Sequence, residues 1–497
     1  MTILQRDDWY DIARDVDWTL SYVDEKEAFP EQWSGIGPVP KEAWAAWDEP
    51  YRCTYRDYVS VQRDKESGAH AVREALKRAN LYDRLDPAHT AASHLHMGAT
   101  CFVEQMAITM QSRFCRFAPA PAWRNMGVYG MLDETRHAQL DLAFSHDLLK
   151  SDPRFDWCNK GFHTNEWGIL AVRNFFDDWM LSCNVVEAAI ATSLVVEHGF
   201  TNVQFIALAA DAMAAGDIDF SNLLSSIQTD EARHAQAGFP TLEIMMKHDP
   251  ERAQRIFDVS LWRSFRLFQT LTGTSMDYYT PLEHRKRSFK EFMLEWVITQ
   301  HERVTRDLGL KHPWYWDQFL ECLDHGHHAM HLGTWFWRPT LFWKPNAGVS
   351  RAERAWLNEK YPSWEESWGT LWDQIIDNVN SGAIDKTLPL TLPALCNLTQ
   401  LPLGSGWNPF NLKQWKSEYK GRVYNFDSEI SKWCFDIEPE RYAGHLNIID
   451  RFLAGMIQPP SVEGCLSYMS LTPDVMGDDA YNYRWAQDYR DYAKAAE

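Results

Sequence analysis

The stretch QTDEARHAQ at residues 228–236 repeats DETRHAQ at residues 133–139. The two copies agree at six of seven positions and differ only at Thr135 and Ala232. A Glu-x-x-His pair alone arises easily by chance in a chain with 18 His, but the matched context does not. The duplication predicts two helices that face each other across a pseudo-twofold axis.

Each copy of the motif places a carboxylate and an imidazole on the same face of a helix. Because residues three apart on a helix are neighbours, Glu134 can act with His137, and Glu231 can act with His234, on one ion. Two such pairs supply too few ligands for a two-metal site. Bridging carboxylates from two further helices are therefore expected.

Two isolated glutamates meet that expectation. Glu104 lies in CFVEQMAITM, 30 residues before Glu134, and Glu197 lies in LVVEHGF, 34 residues before Glu231. A carboxylate on such an apolar face is costly to bury unless it is paired or bound to metal. Four carboxylates and two neutral imidazoles carry a net charge of −4, which two divalent cations balance. Oxygen and imidazole ligands favour iron or manganese, although such sites also bind zinc.

Further charged residues of the two motifs are positioned to support the ligands. Asp133 and Asp230 can accept the second ring N–H of a ligating histidine, and Arg136 and Arg233 can anchor those aspartates. The alternative is that these charges form the solvated faces of two amphipathic helices. That alternative leaves the duplication and the two isolated glutamates unexplained.

A second group of histidines occurs in DHGHHAMH at residues 324–331. Its spacing can hold a metal ion, but Asp324 is its only acidic neighbour in the sequence. We therefore expect a structural or interfacial role for the group. Its members are His325, His327, His328 and His331.

Hydrophobic periodicity predicts a mainly α fold, a ferritin-like di-iron helical bundle with additional helices and a small mixed α/β C-terminal region. Residues 1–85 are interrupted by prolines and are expected to form an N-terminal arm. Residues 86–340 are expected to form the ferritin-like domain. Residues 341–497 are expected to form the C-terminal region, with short helices and a YHS-like hairpin module near 419–426. The predicted long helices span 91–117, 122–150, 167–198, 201–215, 219–247, 250–272, 287–309 and 313–337.

Charge and composition narrow the partners. The net charge of −20 and the pI of 5.3 argue against nucleic acid or an anionic membrane as partner. The first residues contain no apolar stretch of signal-peptide length, and no apolar segment is long enough to span a bilayer, so we expect a cytoplasmic protein. No Gly-x-Gly-x-x-Gly motif or Cys-x-x-Cys pair is present.

With the six ligands, four longer stretches make the chain resemble the large (alpha) subunit of soluble bacterial multicomponent monooxygenases, most closely the toluene and alkene/isoprene branch. These stretches are EHGFTNVQF (197–205), SSIQTDEARHAQ (225–236), MDYYTPLE (276–283) and DRFLAGMIQP (450–459). The resemblance implies a carboxylate-bridged centre of two iron ions that activates O2 as co-substrate. One oxygen atom then enters a small hydrophobic hydrocarbon.

The resemblance also implies partner proteins. The hydroxylase would contain two copies each of alpha, beta and gamma subunits, controlled by an effector (coupling) protein. Electrons would come from NADH through a separate reductase, which carries FAD and an iron–sulfur cluster, and a Rieske-type ferredoxin. The sequence agrees with this division, because it carries no recognisable motif for NADH or for an iron–sulfur cluster.

Three residues near the ligands match functional positions of that family. Thr201 matches an active-site threonine that the resemblance implicates in proton handling during O2 activation. Asn202 and Gln228 match residues that reorient when the effector docks. As an alternative, Thr201 could cap a helix that begins after Gly199.

The family's pocket positions carry small side chains here. Relatives that hydroxylate arenes tend to have larger aliphatic residues near positions 100 and 192 and a phenyl ring at position 196. The absence of that ring removes a stacking surface for an arene. We therefore expect epoxidation of an alkene such as isoprene or propene rather than ring hydroxylation of toluene, benzene or phenol. The seven positions are Thr100, Val103, Ala107, Phe176, Thr192, Val196 and Phe205.

Other di-iron functions fit less well. A ferroxidase-type iron-binding protein needs only four helices and leaves about 250 residues without a purpose. A radical-generating subunit needs a tyrosine one turn from a ligand, and none is present. An acyl desaturase is expected to have a long narrow pocket and a basic surface for an acidic carrier protein.

Near the C-terminus, residues 421–442 resemble a YHS domain, a module that binds metal through cysteines in other proteins. Asp427 and Ser431 occupy the expected cysteine positions here. We therefore expect a structural or interface role for this module rather than metal binding.

Overall fold

A computed structural model of the chain describes both motifs and most of the helical region. The described residues are 23–28, 35–49, 52–150, 162–163, 165–337, 350–383, 394–403 and 415–469. Regular structure in these stretches is almost entirely helical, which confirms the predicted fold class. None of their helices is both long and apolar enough to cross a membrane.

Two helical hairpins form the bundle that carries the motifs. The first consists of α2 (Pro87–Phe117) and α3 (Pro121–Leu148). Asp86 caps α2 by accepting the backbone N–H of His89 at 2.9 Å, and a proline begins each helix, where its missing N–H costs nothing. A three-residue connection makes the two helices antiparallel neighbours.

The second hairpin contains α5 and α6. Helix α5 joins four segments, which are Val185–Ala188, the π-helical Ala189–Phe200 and Val203–Ala207, and Leu208–Ala214. Helix α6 consists of Ile218–His234, a short 3₁₀ turn at Ala235–Ala237, and Gly238–His248.

Two predicted helix boundaries in this region are wrong. The sequence predicted one helix over 167–198, but α4 (Trp167–Phe176 with a π-helical Asp177–Ser182) ends at Ser182, and α5 begins only after Asn184. The Asn184 side chain accepts the N–H groups of Val186 and Glu187, which starts a new helix. The predicted break at 199–201 is absent, because the π-helical segment carries the chain through Gly199.

The N-terminal region also contains a long helix that the sequence did not predict. Helix α1 (Tyr55–Arg78) packs on α6, while a turn at Glu25–Ala28 and a 3₁₀ helix at Lys41–Ala46 precede it. Trp47, which follows the 3₁₀ helix, stacks on Trp123 of α3 with 5.4 Å between ring centroids. Trp47 therefore packs against the bundle.

The remaining helices pack around the bundle. The predicted helix over 313–337 is two helices, α9 and α10, because a turn at residues 323–325 separates them. The bounds are α7 (Pro250–Phe268, then π-helical Gln269–Gly273 and Ser275–Tyr279), a 3₁₀ turn at Leu282–His284, α8 (Phe289–Phe292, π-helical Met293–Ile298, Thr299–Leu308), α9 (Trp316–Cys322), α10 (Gly326–Trp337), α11 (Arg351–Lys360) and α12 (π-helical Glu365–Gly369, then Thr370–Asn380).

The C-terminal region contains the predicted hairpin. Strands β1 (Trp415–Tyr419) and β2 (Arg422–Phe426) pair antiparallel, and Lys420 and Gly421 form the turn with positive φ angles of 49° and 76°. Four short helices follow, α13 (Glu429–Ile437), α14 (Pro439–Tyr442), α15 (Ile448–Leu453) and α16 (Val462–Tyr468).

Buried polar contacts attach this hairpin module to α7. Arg266 donates to Asp427 at 3.0 Å, and both side chains are almost completely buried. The indole N–H of Trp262 donates to Ser431 at 3.0 Å. The two residues at the cysteine positions of a YHS domain are therefore engaged in attaching the module to the bundle.

We predict that Asp427→Ala lowers the free energy of unfolding by about 3–5 kcal/mol, because it leaves the buried Arg266 charge without its partner. Asp436→Ala is the matched control, since Asp436 pairs with Lys432 on the exposed face of α13 and its loss should cost less than about 0.5 kcal/mol. Urea unfolding of both variants measures the difference. Equal losses would show that the Arg266 contact does not hold the module.

Candidate metal centre

Four helices of the bundle bring the six candidate ligands together in the core. Helix α2 contributes Glu104, α3 Glu134 and His137, α5 Glu197, and α6 Glu231 and His234. Every one of these side chains is buried, with at most 7% of its residue surface exposed. They fall into two groups, each with ligand atoms within 4.8 Å of one another, and the groups share one member. The first group is Glu104, Glu134, His137 and Glu231, and the second is Glu134, Glu197 and His234.

The motif glutamates occupy the middle of the cluster. The carboxylate oxygens of Glu134 lie 3.2 Å from Nδ1 of His137 and 3.2 Å from Nδ1 of His234. Those of Glu231 lie 3.3 Å and 3.9 Å from the same two atoms. Each carboxylate therefore faces both histidines, as a bridging ligand would.

This arrangement corrects the expectation that the other two helices supply the bridges. Glu104 belongs to the His137 side, with its oxygen 3.5 Å from Nδ1, while Glu197 belongs to the His234 side. The motif helices face each other directly, so their own glutamates meet at the centre. Sequence spacing identified the face of each helix but not the depth of each carboxylate.

The motif aspartates pair crosswise with the histidines. Nε2 of His137 lies 3.3 Å from Asp230, and Nε2 of His234 lies 3.0 Å from Asp133, so each ring contacts the aspartate of the other motif. Arg136 donates to Asp230 at 2.8 Å, and Arg233 donates to Asp133. The two aspartates thus contact the candidate histidine ligands, and the two arginines contact the aspartates. Each of these contacts joins one motif to the other.

Three residues of α1 that were not predicted also contact the two motif aspartates. Gln62 donates to Asp133 at 2.7 Å and to Asp230 at 2.9 Å, which ties the two aspartates together. The hydroxyl of Tyr58 donates to Asp133 at 2.9 Å, and Lys65 donates to Asp230 at 2.5 Å. Their i, i+4, i+7 spacing marks one face of a helix, but nothing in the sequence joined that face to the motifs.

Burial and mutual repulsion act strongly on the carboxylates. Burial raises the pKa of Glu104 and of Glu197 well above the usual range, and the neighbouring glutamates add to both shifts. Burial opposes a charge on His137 and His234 as well, but the surrounding carboxylates raise the pKa of both rings. Without a cation, these shifts favour the protonated forms of Glu104, Glu197 and both rings.

This donor set fits a pair of divalent cations. Oxygen Oε2 of Glu197 is buried and has no hydrogen-bond partner among the described residues, so it is available to a cation. Carboxylates and imidazoles without a thiolate suit iron or manganese. No other group of this kind occurs in the described parts of the chain.

The second histidine group forms part of an aromatic core. The ring of His331 stacks on Tyr278 with 3.9 Å between centroids, and Nδ1 of His328 lies 2.6 Å from the Tyr278 hydroxyl. His327 has an acidic neighbour that the sequence did not indicate, because its Nε2 lies 2.9 Å from Asp277. These contacts place three of the four histidines in a packed environment, and the structural or interfacial role of the group stays a prediction.

A small cavity of about 80 Å³ adjoins the cluster. Its wall includes the candidate ligands Glu104, Glu134, Glu197 and Glu231, together with Thr201. Six of the seven predicted pocket residues line it, which are Thr100, Val103, Ala107, Phe176, Val196 and Phe205. Six lining residues were missed, which are Val172, Met180, Gln204, Leu267, Phe268 and Leu271. The missed residues lie mainly on α4 and α7, which carry no motif.

Thr192 is the predicted pocket residue that does not line the cavity. It is completely buried, and its hydroxyl contacts the carbonyl of Ala188 and the sulfur of Met110. The Thr192 hydroxyl therefore faces Met110 of α2 and not the cavity.

Thr201, Asn202 and Gln228, which lie near Glu197 and Glu231 in the sequence, take part in two separate sets of hydrogen bonds. Thr201 donates to the carbonyl of Glu197 at 2.6 Å inside α5, so it does not cap a helix start. Asn202 accepts a hydrogen bond from Gln228 at 2.9 Å and donates to Gln300 of α8 at 2.8 Å. Gln300 was not predicted, and it extends this amide network to a third helix.

Comparison with known proteins agrees with this geometry. A family profile described as Methane/Phenol/Alkene Hydroxylase matches residues 18–249. The chain is 65% identical over 497 residues to the alpha subunit of the oxygenase component of the alkene monooxygenase system of Xanthobacter autotrophicus, covering 100% of both chains. This chain belongs to the methane/phenol/alkene hydroxylase family. The predicted family and enzyme class, a monooxygenase, are confirmed.

Other members of the family are more distant. The chain is 26% identical to the oxygenase component of phenol 2-monooxygenase from Pseudomonas sp. strain CF600, covering 88% of this chain and 84% of that one. The crystal structure of phenol hydroxylase from Pseudomonas sp. OX1 matches with a TM-score of 0.84 at 23% identity, covering 99% and 100%. That match concerns the fold. A YHS domain profile matches residues 404–446, in the region of the C-terminal hairpin.

We predict that Asp133→Asn weakens binding of one of the two metal ions by about 10–100-fold, because the His234 ring loses the carboxylate that orients it. Asp147→Asn on the same helix is the control, since Asp147 contacts Arg73 and Lys77 instead. Competition titration with a chelator measures both affinities. Unchanged binding in Asp133→Asn would contradict a supporting role for this residue.

Proposed function

We propose that this chain is the catalytic alpha subunit of a multicomponent monooxygenase. It uses two iron ions to activate O2 and inserts one oxygen atom into a small alkene, such as propene or isoprene, to form an epoxide. The observation that carries this proposal is the buried carboxylate–histidine cluster, which adjoins a small cavity with mostly apolar side chains.

The iron pair would be held by the six clustered residues, with the carboxylates of Glu134 and Glu231, which each face both histidines, available to either ion. When bound, the pair supplies the electrons and the Lewis acidity needed to cleave O2. The crosswise Asp–His contacts fix the orientation of both imidazole rings. The role of the chain is to hold this geometry while the cavity presents the substrate.

The cavity wall orients the substrate and excludes water. Phe176, Phe205 and Phe268 contribute flat apolar surfaces, and Val196 leaves room between them and the cluster. An apolar enclosure of this kind binds a hydrocarbon through the area that it removes from water. The double bond would therefore lie beside the carboxylate cluster, held there mainly by contact with these apolar side chains.

Thr201 is the residue placed to handle a proton. Its hydroxyl hydrogen points to the Glu197 carbonyl, and the residue lines the cavity, so its oxygen lone pairs are available as an acceptor there. Thr201 can therefore hold a proton donor in the cavity at its hydroxyl oxygen, while its own hydrogen stays bonded to the Glu197 carbonyl. Gln204 is a second polar residue of the wall.

The size of the cavity supports an alkene as substrate. An apolar cavity of about 150 Å³ takes up benzene in another protein, whereas the cavity here measures about 80 Å³. A molecule of three to five carbons needs less expansion of the wall than an arene does. The missing phenyl ring at position 196 acts in the same direction, because it removes a stacking partner for an arene.

Aromatic ring hydroxylation of toluene, benzene or phenol is the second candidate function. The three phenylalanine rings of the wall give an arene edge and face contacts. The phenol 2-monooxygenase relative acts on an arene by its name. Small differences in pocket shape discriminate weakly between substrates, so overlapping activities are expected.

Partner proteins follow from the same proposal. The relative from Xanthobacter autotrophicus is named as one subunit of an oxygenase component within a system. We propose beta and gamma subunits in two copies each, an effector protein, a Rieske-type ferredoxin and an NADH-dependent reductase with FAD. The network of Asn202, Gln228 and Gln300 crosses three helices and is where we expect effector docking to be felt.

The direct test supplies the purified, iron-loaded oxygenase complex with its effector, a reductant, O2 and either propene or toluene, followed by gas chromatography of the products. Propene oxide is expected as the main product. Glu231→Ala should assemble normally but bind no iron pair and form no epoxide. Iron oxidation without any oxygenated product would refute the monooxygenase proposal, and cresol as the dominant product would favour the second candidate.

We predict that Met180→Ala lowers the ratio of isoprene epoxide to cresol by about tenfold, because it enlarges the cavity wall and admits an arene. Met245→Ala is the control, since Met245 is a buried methionine of α6 that does not line the cavity. The ratio of the two products is measured in one reaction that contains both isoprene and toluene. A ratio equal to that of the unchanged chain would show that cavity size does not select the alkene.

A further inference from the structure

Helix α8 places the imidazole of His301 in the space beside Gly199 of α5. A Cβ atom at position 199 would lie 2.1 Å from Cε1 and 2.6 Å from Nε2 of this ring. Gly199 does not have the positive φ angle that would by itself require glycine. The residue costs the helix about 0.5–1 kcal/mol relative to alanine, so the space that the ring occupies is the reason for it.

Gly199 lies in the π-helical part of α5, two residues after Glu197 and two before Thr201. The N–H of Thr201 donates to the carbonyl of Val196, five residues back. Such i→i−5 turns are rare, and they are concentrated at functional sites. The altered pairing changes which donor reaches each carbonyl of the segment.

Side chains supply additional contacts to the carbonyl groups of this segment. Thr201 donates to the carbonyl of Glu197 at 2.6 Å, and Asn202 donates to that of His198 at 2.8 Å. Nε2 of His301 lies 3.3 Å from the carbonyl of Val195. Of these three contacts, only the one from His301 comes from another helix.

The ring of His301 is fixed from several sides. It is fully buried, with Phe200 at 5.3 Å and Phe257 at 6.2 Å between ring centroids, and its Nδ1 lies 2.9 Å from the carbonyl of Val297. Burial lowers the pKa of the ring to about 4. The neutral ring carries one N–H for two carbonyls, so its shape rather than its charge defines the contact.

We propose that His301 is a positioning residue that, seated against Gly199, holds the π-helical register of α5. The register sets the directions of Glu197 and Thr201 toward the metal centre. Gln300 precedes it on the same turn of α8 and contacts Asn202, so this turn holds α5 at two points. The inference rests on the proposed function to the extent that Glu197 is a metal ligand.

The register matters because α-helical residues are spaced about 100° apart around the axis. A change from π to α pairing in this segment would rotate the residues on one side of it by about that angle relative to those on the other. Glu197 and Thr201 would then no longer face the cavity together. A small displacement of His301 would therefore change the metal centre without any direct contact to it.

The test compares the unchanged purified protein with three variants of the whole chain, which are Gly199→Ala, His301→Ala and the double variant. His325→Ala is the matched control, because His325 is also a buried histidine and lies in the turn between α9 and α10. Hydrogen exchange of the amides of residues 195–205 is measured without metal. Mössbauer spectra are recorded after anaerobic loading with ⁵⁷Fe(II), and thermal unfolding is followed in parallel.

Each single variant should accelerate exchange over residues 195–205 by about tenfold and leave the amides of 133–139 unchanged, because only α5 loses its brace. The Mössbauer signal of one of the two irons should shift. In the double variant the new methyl group enters the space of the missing ring, so the melting temperature should recover relative to Gly199→Ala alone while exchange and spectrum stay altered.

Two results would overturn the inference. The first is that both single variants show the same amide exchange over residues 195–205 and the same Mössbauer spectra as the unchanged chain. The other is a double variant that recovers the spectrum as well as the melting temperature, which would show a packing role only. If the unchanged chain binds no iron pair, the proposed function fails, while the metal-free exchange measurement still decides whether His301 holds α5.

Discussion

The structure depends on the burial of four carboxylates and two imidazoles at one point of a helical core. Such a concentration of charge is costly in a low-dielectric interior unless cations or fixed hydrogen bonds compensate it. Arg136, Arg233 and Lys65 supply positive charge around the cluster, and Gln62 joins the two aspartates. The remaining negative charge lies toward the centre, where two divalent ions would complete the balance.

The clustering of the six candidate ligands was predictable from the sequence, because a duplicated motif is improbable without a shared task. The positions of Glu104 and Glu197 were predictable too, since isolated carboxylates on apolar helix faces need a partner. Helical periodicity gives the face of a side chain but not how deeply it reaches. For that reason the central position of Glu134 and Glu231 and the crosswise Asp–His pairs emerged only in three dimensions.

The errors in the predicted fold have local physical causes. Gly199 suggested a helix break, but the glycine is there to make room for His301, and the helix continues. At Asn184 the apolar pattern continues but the helix is interrupted, because the asparagine side chain caps the start of a new helix. Tyr58 and Gln62 were missed because their partners lie far away in the sequence. The spacing of residues within α1 does not show which other helix they contact.

The central claim is that the six clustered residues bind two iron ions side by side. Anomalous diffraction at the iron absorption edge from crystals of the iron-loaded protein tests it most directly. The account predicts two peaks between His137 and His234, with the carboxylates of Glu134 and Glu231 between them. A single peak, or peaks away from these residues, would contradict it.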